Sequence, residues 1–78
     1  MTDWIIKNNV LTKEFEFNTF TQAVEFIQKI AAIAQQMDHH PDILLHSYRK
    51  VKIMLTTHSE NLVTQKDYSL AKNIDLLL

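Results

Sequence analysis

Residues 11–17 alternate between two faces, with Leu and Phe against Thr and Glu, which is the period of a half-buried β-strand. Only Lys13 interrupts the apolar side. The preceding residues 4–6 are Trp-Ile-Ile and favour a second strand, and Asn8 and Asn9 between the two tolerate the positive φ angles of a tight turn. The segment DWIIKNNVLTKEFEF is therefore predicted to form a β-hairpin.

The next segment repeats apolar residues at intervals of three and four, which is typical of an amphipathic α-helix. Asn18 or Thr19 can cap it, and Thr19 with Gln22 has the spacing of a capping box. We expect the helix to end near Met37, because a residue that precedes Pro41 is disfavoured in helical geometry. Its apolar face is predicted to consist of Phe20, Ala23, Val24, Phe26, Ile27, Ile30, Ala31, Ile33 and Ala34.

Two further strands are predicted over residues 43–48 and 51–57, joined at Arg49 and Lys50. In the second strand the odd-numbered positions carry Val, Ile, Leu and Thr. The even-numbered positions, continuing to His58, point to the opposite face of the sheet.

A loop with the sequence SENL separates these strands from a second helix. Thr64 can cap this helix with Asp67 three residues later, and Val63 can pack onto Tyr68 across the first turn. The apolar stripe of the helix is predicted to be Leu70, Ala71, Ile74, Leu77 and Leu78. The element order ββαββα predicts an α+β fold, a four-stranded antiparallel sheet with helices packed on one face.

Seventy-eight residues allow a single domain, residues 1–78. A chain of this size buries only about 60–65% of its unfolded surface, and without cysteine no disulfide can compensate. We therefore expect a homodimer or homotetramer, with the open edge strands forming the interfaces between subunits. The lack of cysteine and of a signal-peptide pattern at the N-terminus predicts a cytoplasmic protein.

The charge balance excludes some classes of partner. Eight basic and nine acidic residues leave a net charge of −1, so neither nucleic acid nor a membrane surface is an expected partner. No segment is long enough to cross a bilayer. The absence of glycine also excludes glycine-rich phosphate-binding loops.

The segment DHHPD at residues 38–42 places His39 and His40 side by side before the only proline. In this topology the end of the first helix can lie close to His58 at the end of the fourth strand. Two histidines could protonate a leaving hydroxyl and remove a second proton, which accelerates a reaction by about 10²–10⁴. A solvated polar loop and a three-histidine zinc site with an open position are the alternatives.

The spacing of these residues resembles that of the pterin-4a-carbinolamine dehydratases. The chain has His39-His40-Pro41, then six residues to Tyr48, nine more to His58 and eight more to Asp67. The hairpin with EFEF, the first helix and the closing AKNID resemble the family as well, so the similarity covers nearly the whole chain.

Two positions depart from the family pattern. Gln35 stands where a charged residue is usual, so we expect the tuning of His39 by a carboxylate to be lost. Ile43 stands where some relatives carry a tryptophan that could form a wall of the substrate site.

The resemblance implies a hydro-lyase that removes water from 4a-hydroxytetrahydropterin, giving quinoid dihydropterin in the recycling of tetrahydrobiopterin-type cofactors. It implies His39 and His58 as the acid/base pair, with His40 orienting the pterin ring and also exchanging protons. No metal or organic cofactor is implied. Residues assigned to substrate binding are Gln35, Asp38, Pro41, Tyr48, Thr57, Ser59 and Asp67.

Two alternatives remain at this point. Asp67 is explained equally well as a helix cap without any part in the site. The whole domain could also be a non-catalytic module for dimerisation or partner binding that keeps the same fold.

Overall fold

The computed structural model describes residues 3–78 and confirms the α+β fold. The sheet is antiparallel with strand order β1-β2-β4-β3, and the core residues of both helices pack against one of its faces. The elements are β1 (Ile5–Lys7), β2 (Val10–Glu16), α1 (Phe20–Met37), β3 (Asp42–His46), β4 (Lys50–Leu55) and α2 (Gln65–Asp75).

The two hairpins turn at residues with positive φ. Asn8 and Asn9 have φ of 53° and 64°, which confirms the predicted first turn. The second turn was predicted at Arg49-Lys50, and this is wrong. Ser47 and Tyr48 take φ of 52° and 53°, so the turn comes earlier and Lys50 already belongs to β4.

The core lies between the helices and the odd-numbered face of β2 and β4. Three residues predicted to be apolar contacts of the helices, Phe20, Ala31 and Leu78, are exposed instead. Phe20 is the first residue of α1, Leu78 follows the end of α2, and Ala31 lies on the solvent-facing side of α1. The buried cluster comprises Leu11, Phe15, Ala23, Phe26, Ile30, Val51, Ile53, Leu55, Leu70, Ala71 and Ile74.

Lys13, the polar interruption of β2, is buried on the core side of the sheet. Its Nζ donates to Asp75 Oδ1 at 2.9 Å, and the Trp4 indole N–H donates to Asp75 Oδ2 at 3.0 Å. The ammonium group also lies 4.9 Å from the centroid of the Phe15 ring. The lysine is therefore accommodated by an ion pair that ties the first hairpin to the end of α2.

The N-terminal end of α1 differs in detail from the prediction. Thr19 Oγ1 accepts from the Gln22 N–H, but the Gln22 side chain accepts from the N–H of Asn18 rather than that of Thr19. The helix ends at Met37, as predicted, and Asp38 follows as a left-handed cap with φ of 52°.

Candidate active site

His39 and Asp67 form the centre of the candidate site. His39 follows α1, and Asp67 lies in the first turn of α2. The Nε2 of His39 is 2.6 Å from Asp67 Oδ1. The side chain of His39 is 13% exposed, whereas that of Asp67 is 0% exposed. The carboxylate is therefore inside the protein, and the imidazole that contacts it is partly exposed to solvent.

The second oxygen of Asp67 is held from the other side. Thr57 Oγ1 donates to Asp67 Oδ2 at 2.9 Å, and the backbone N–H of Thr64 donates to the same oxygen at 2.9 Å. The hydroxyls of Thr57 and Thr64 are 2.6 Å apart. Asp67 thus caps α2 as predicted and also binds a histidine, so its two interpretations are compatible.

These contacts determine the ionisation of Asp67. Burial alone raises the pKa of a carboxyl, but the hydrogen bonds from His39, the Thr64 N–H and Thr57 outweigh it and hold the pKa of Asp67 below its ordinary value of 3.8. The positive end of the α2 dipole acts in the same direction. Asp67 is consequently a carboxylate at neutral pH.

The charge of Asp67 decides which nitrogen of His39 carries hydrogen. A carboxylate only accepts hydrogen bonds, so His39 Nε2 must be the donor. Among residues 3–78, Nδ1 makes no side-chain hydrogen bond, and no buried side-chain nitrogen or oxygen lacks a partner. Nδ1 of His39 therefore reaches the surface with its lone pair available in the neutral ring.

The segment that follows β4 reaches this site, because Thr57 contacts Asp67. The strand itself ends at Leu55, two residues before the predicted end at Thr57. Thr57 pairs with Leu62 and closes a turn over residues 58–61, and His58 and Ser59 are exposed at the start of that turn. His58 is thus one residue from the group that binds Asp67. Within the described part of the chain its side chain makes no hydrogen bond, so the direction of its ring is not determined by a protein partner.

His40 and Gln35 form a separate pair beside the site. Their Nε2 and Oε1 atoms are 3.4 Å apart at the surface. Gln35 therefore faces His40 rather than His39. The expected loss of a carboxylate from His39 is wrong, because Asp67 supplies one from α2.

The other residues assigned to substrate binding differ from one another in burial and in position. Asp38 is the exposed cap of α1, and Pro41 is half-buried before β3. Thr57 is only 5% exposed, so it and Asp67 face the protein interior rather than a surface ligand. Tyr48 is 62% exposed in the turn that follows β3, whereas Asp42 begins that strand, about 13 Å from its last residue His46.

Thr64 was not predicted as part of the site. The capping pattern of α2 pointed to it, but only the fold shows that its hydroxyl contacts that of Thr57.

A groove of about 600 Å³ lies elsewhere, on the open face of the sheet around Ile5, Thr12 and Met54. Its lining includes none of His39, His40 and His58. Within residues 3–78, no three His, Asp or Glu side chains are grouped to hold a metal ion, and no helix is long and apolar enough to cross a membrane.

The sequence and the fold of this chain both match known proteins. The sequence model described as pterin 4 alpha carbinolamine dehydratase matches residues 1–77. A protein of Sulfolobus acidocaldarius, provisionally named as a pterin-4-alpha-carbinolamine dehydratase, is 50% identical over 72 residues, covering 92% of this chain and 78% of that protein.

Two solved structures share the fold. A transcriptional coactivator/pterin dehydratase from Brucella melitensis superimposes with a TM-score of 0.86 at 33% identity, over 95% of this chain and 80% of that one. A pterin dehydratase-like protein identified as a RuBisCO assembly factor in the alpha-carboxysome superimposes with a TM-score of 0.76 at 24% identity, over 96% and 86% of the two chains.

Proposed function

Because the chain belongs to the pterin 4 alpha carbinolamine dehydratase family, we propose that it removes water from 4a-hydroxytetrahydropterin to give quinoid dihydropterin. The observation that carries this function is the hydrogen bond from His39 to the buried carboxylate of Asp67. It presents the other nitrogen of the imidazole to the surface, beside the turn that contains His58. The reaction would recycle a tetrahydrobiopterin-type cofactor.

In this mechanism His39 is the base. Its Nδ1 takes the proton from N5 of the pterin, and the electron pair of that N–H bond forms the C4a=N5 double bond. The C4a–O bond breaks as His58 protonates the departing hydroxyl, which leaves as water. Asp67 stabilises the imidazolium that forms at His39, as a buried carboxylate does for a catalytic histidine. His40, next to His39 at the surface, orients the ring and can exchange a proton as well.

Binding of the pterin is assigned to the surface around these rings. Asp38, Pro41 and Ser59 flank the histidines in the chain and provide polar groups and a rigid wall. Gln35 contributes through His40, to which it is hydrogen-bonded. Thr57 and Asp67, which face inward, act through His39. Metal and organic cofactors have no step in this scheme.

The test is the rate at which a synthetic 4a-hydroxytetrahydropterin is lost. Wild-type protein is expected to accelerate this loss over the spontaneous reaction. His39→Ala and His58→Ala should each lower kcat by roughly 10²-fold or more, which is the usual effect of removing a general acid or base. Circular dichroism should show an unchanged fold. A wild-type rate equal to the spontaneous rate would contradict the assignment.

A non-catalytic, partner-binding role is the second candidate. The relative from Brucella melitensis is described both as a transcriptional coactivator and as a pterin dehydratase, so the fold is compatible with binding a protein partner. Turnover separates the two functions. A binding module would show no rate above background in wild type and no change in either histidine variant.

Self-association and a cytoplasmic location are further parts of the proposal. Strands β1 and β3 each have one edge without a partner strand among residues 3–78, and Leu44 is exposed on β3. Such edges favour pairing with a second copy. Sedimentation analysis should therefore give a mass of two or four chains.

A further inference from the structure

We propose that Thr57 is a positioning residue whose hydroxyl, itself held by Thr64, fixes the carboxylate of Asp67 and through it the ring of His39. This role rests on the dehydration chemistry proposed above. It replaces the expectation that Thr57 binds the substrate, since the residue is 5% exposed and its hydroxyl hydrogen is engaged inside the protein.

The direction of the hydrogen bonds follows from the number of hydrogens available. Asp67 is a carboxylate and donates none, so the hydrogen of the Thr57 hydroxyl must point to Asp67 Oδ2. The contact of 2.6 Å between Thr57 and Thr64 then requires the Thr64 hydroxyl as donor. A single ordered chain runs from Thr64 through Thr57 and Asp67 to Nε2 of His39.

This chain has two physical consequences for the carboxylate. Three donors, Thr57, the Thr64 N–H and His39, prevent it from rotating about its last bond. The two donors on Oδ2 also draw charge from the carboxylate, which keeps the hydrogen on His39 Nε2 at a separation of only 2.6 Å. The proton-accepting nitrogen of the ring is therefore always Nδ1.

Water cannot replace the hydroxyl without a rearrangement, because Thr57 and Asp67 are both buried. Removing it would leave a buried carboxylate with one donor fewer. The other ionisable groups near His39 are Asp38 and His40 in its own loop and His58 after β4. These three are exposed and solvated, whereas Asp67 is the buried group in direct contact.

The test uses Thr57→Val, which keeps the β-branched shape, and Thr57→Ser, which keeps the hydroxyl. Thr56→Val is the matched control, because the neighbouring Thr56 hydroxyl donates to the Asn9 carbonyl outside the site. We expect Thr57→Val to lower kcat about tenfold with less than about a twofold change in KM. Thr57→Ser and Thr56→Val should retain the wild-type kcat.

A second readout is independent of activity. Nitrogen-15 NMR of the imidazoles should show His39 with its hydrogen on Nε2 in wild type and in Thr57→Ser, and a mixture of the two tautomers in Thr57→Val. Thr64→Val should shift the tautomers in the same direction by a smaller amount, since it removes the outer hydroxyl of the chain.

The outcomes distinguish this role from the function itself. If wild type dehydrates the pterin but Thr57→Val keeps both kcat and the His39 tautomer, the role of Thr57 is wrong and the function stands. If Thr57→Ser behaves like Thr57→Val, the hydroxyl is not the active feature and the role is also wrong. If wild type has no turnover while the tautomer changes as expected, the hydrogen-bond chain stands and the proposed function fails.

Discussion

His39 and Asp67 are 28 residues apart in the chain, yet the imidazole and the carboxylate are joined by a hydrogen bond of 2.6 Å. The bond connects the end of α1 to the first turn of α2, so Asp67 has two structural roles. As a cap, Asp67 stabilises the start of α2. As an acceptor, it sets the tautomer and direction of the histidine ring.

Replacing Asp67 by asparagine should impair the proposed reaction. Thr57 and the Thr64 N–H would hold the amide oxygen of the new side chain, so its NH₂ group would face His39 and force the ring hydrogen onto Nδ1. We expect kcat to fall by roughly 10²–10⁴-fold through this wrong tautomer. Asp75→Asn is the matched control on the same helix, and it should leave kcat within about twofold of wild type. Equal rates for the two variants would contradict the role of Asp67.

The same residue should influence stability at acid pH. The pKa of Asp67 is lower in the folded protein than its ordinary value of 3.8. The charged carboxylate therefore stabilises the fold at pH values above 3.8. That contribution disappears as the pH falls through the lower pKa of the folded state. Urea midpoints measured from about pH 6 down to about pH 3 should therefore decrease more for wild type than for Asp67→Asn. Parallel pH curves would show that Asp67 has the same pKa in both states.

A charge introduced at position 35 should act on His40. In Gln35→Glu the new carboxylate replaces the amide that lies 3.4 Å from His40, whereas His39 already has its own partner in Asp67. Proton NMR spectra should show larger changes in the ring signals of His40 than in those of His39. Because the pair is exposed, added salt should reduce the effect. Changes confined to His39 would contradict the observed pairing.

The buried lysine of β2 should matter for stability and not for catalysis. Lys13→Met leaves Asp75 without its ammonium partner, and we expect the free energy of unfolding to fall by about 1–3 kcal/mol. Lys52→Met, on the open face of the same sheet, should change it by less than about 0.5 kcal/mol. Chemical denaturation compares the two. A Lys13 variant as stable as the Lys52 variant would show that the ion pair contributes nothing.

Local patterns in the sequence predicted most of the fold. The alternation in β2, the Asn8-Asn9 turn and the capping of α2 by Thr64 and Asp67 depend on neighbouring residues, and all three are found. The second hairpin turn was misplaced because without glycine the chain uses Ser47 and Tyr48 at positive φ. These residues give no turn signal comparable to Asn-Asn.

The candidate site was less predictable because it depends on contacts between distant segments. The sequence indicated that His39, His58 and Asp67 belong together, but it could not show that Asp67 is buried beneath His39. Gln35 was assigned to His39 from its position one helical turn away. In the structure Gln35 meets His40 instead, which follows the left-handed residue Asp38 by two positions.

The proposed mechanism is tested most directly by a structure of the protein with a bound, unreactive reduced pterin. We expect Nδ1 of His39 within about 3.2 Å of N5 of the pterin, with the ring of His58 beside C4a on the side of the departing hydroxyl. A pterin bound on the open face of the sheet, or bound at His39 with the ring of His58 turned away from it, would contradict the proposed pair of proton-transfer groups.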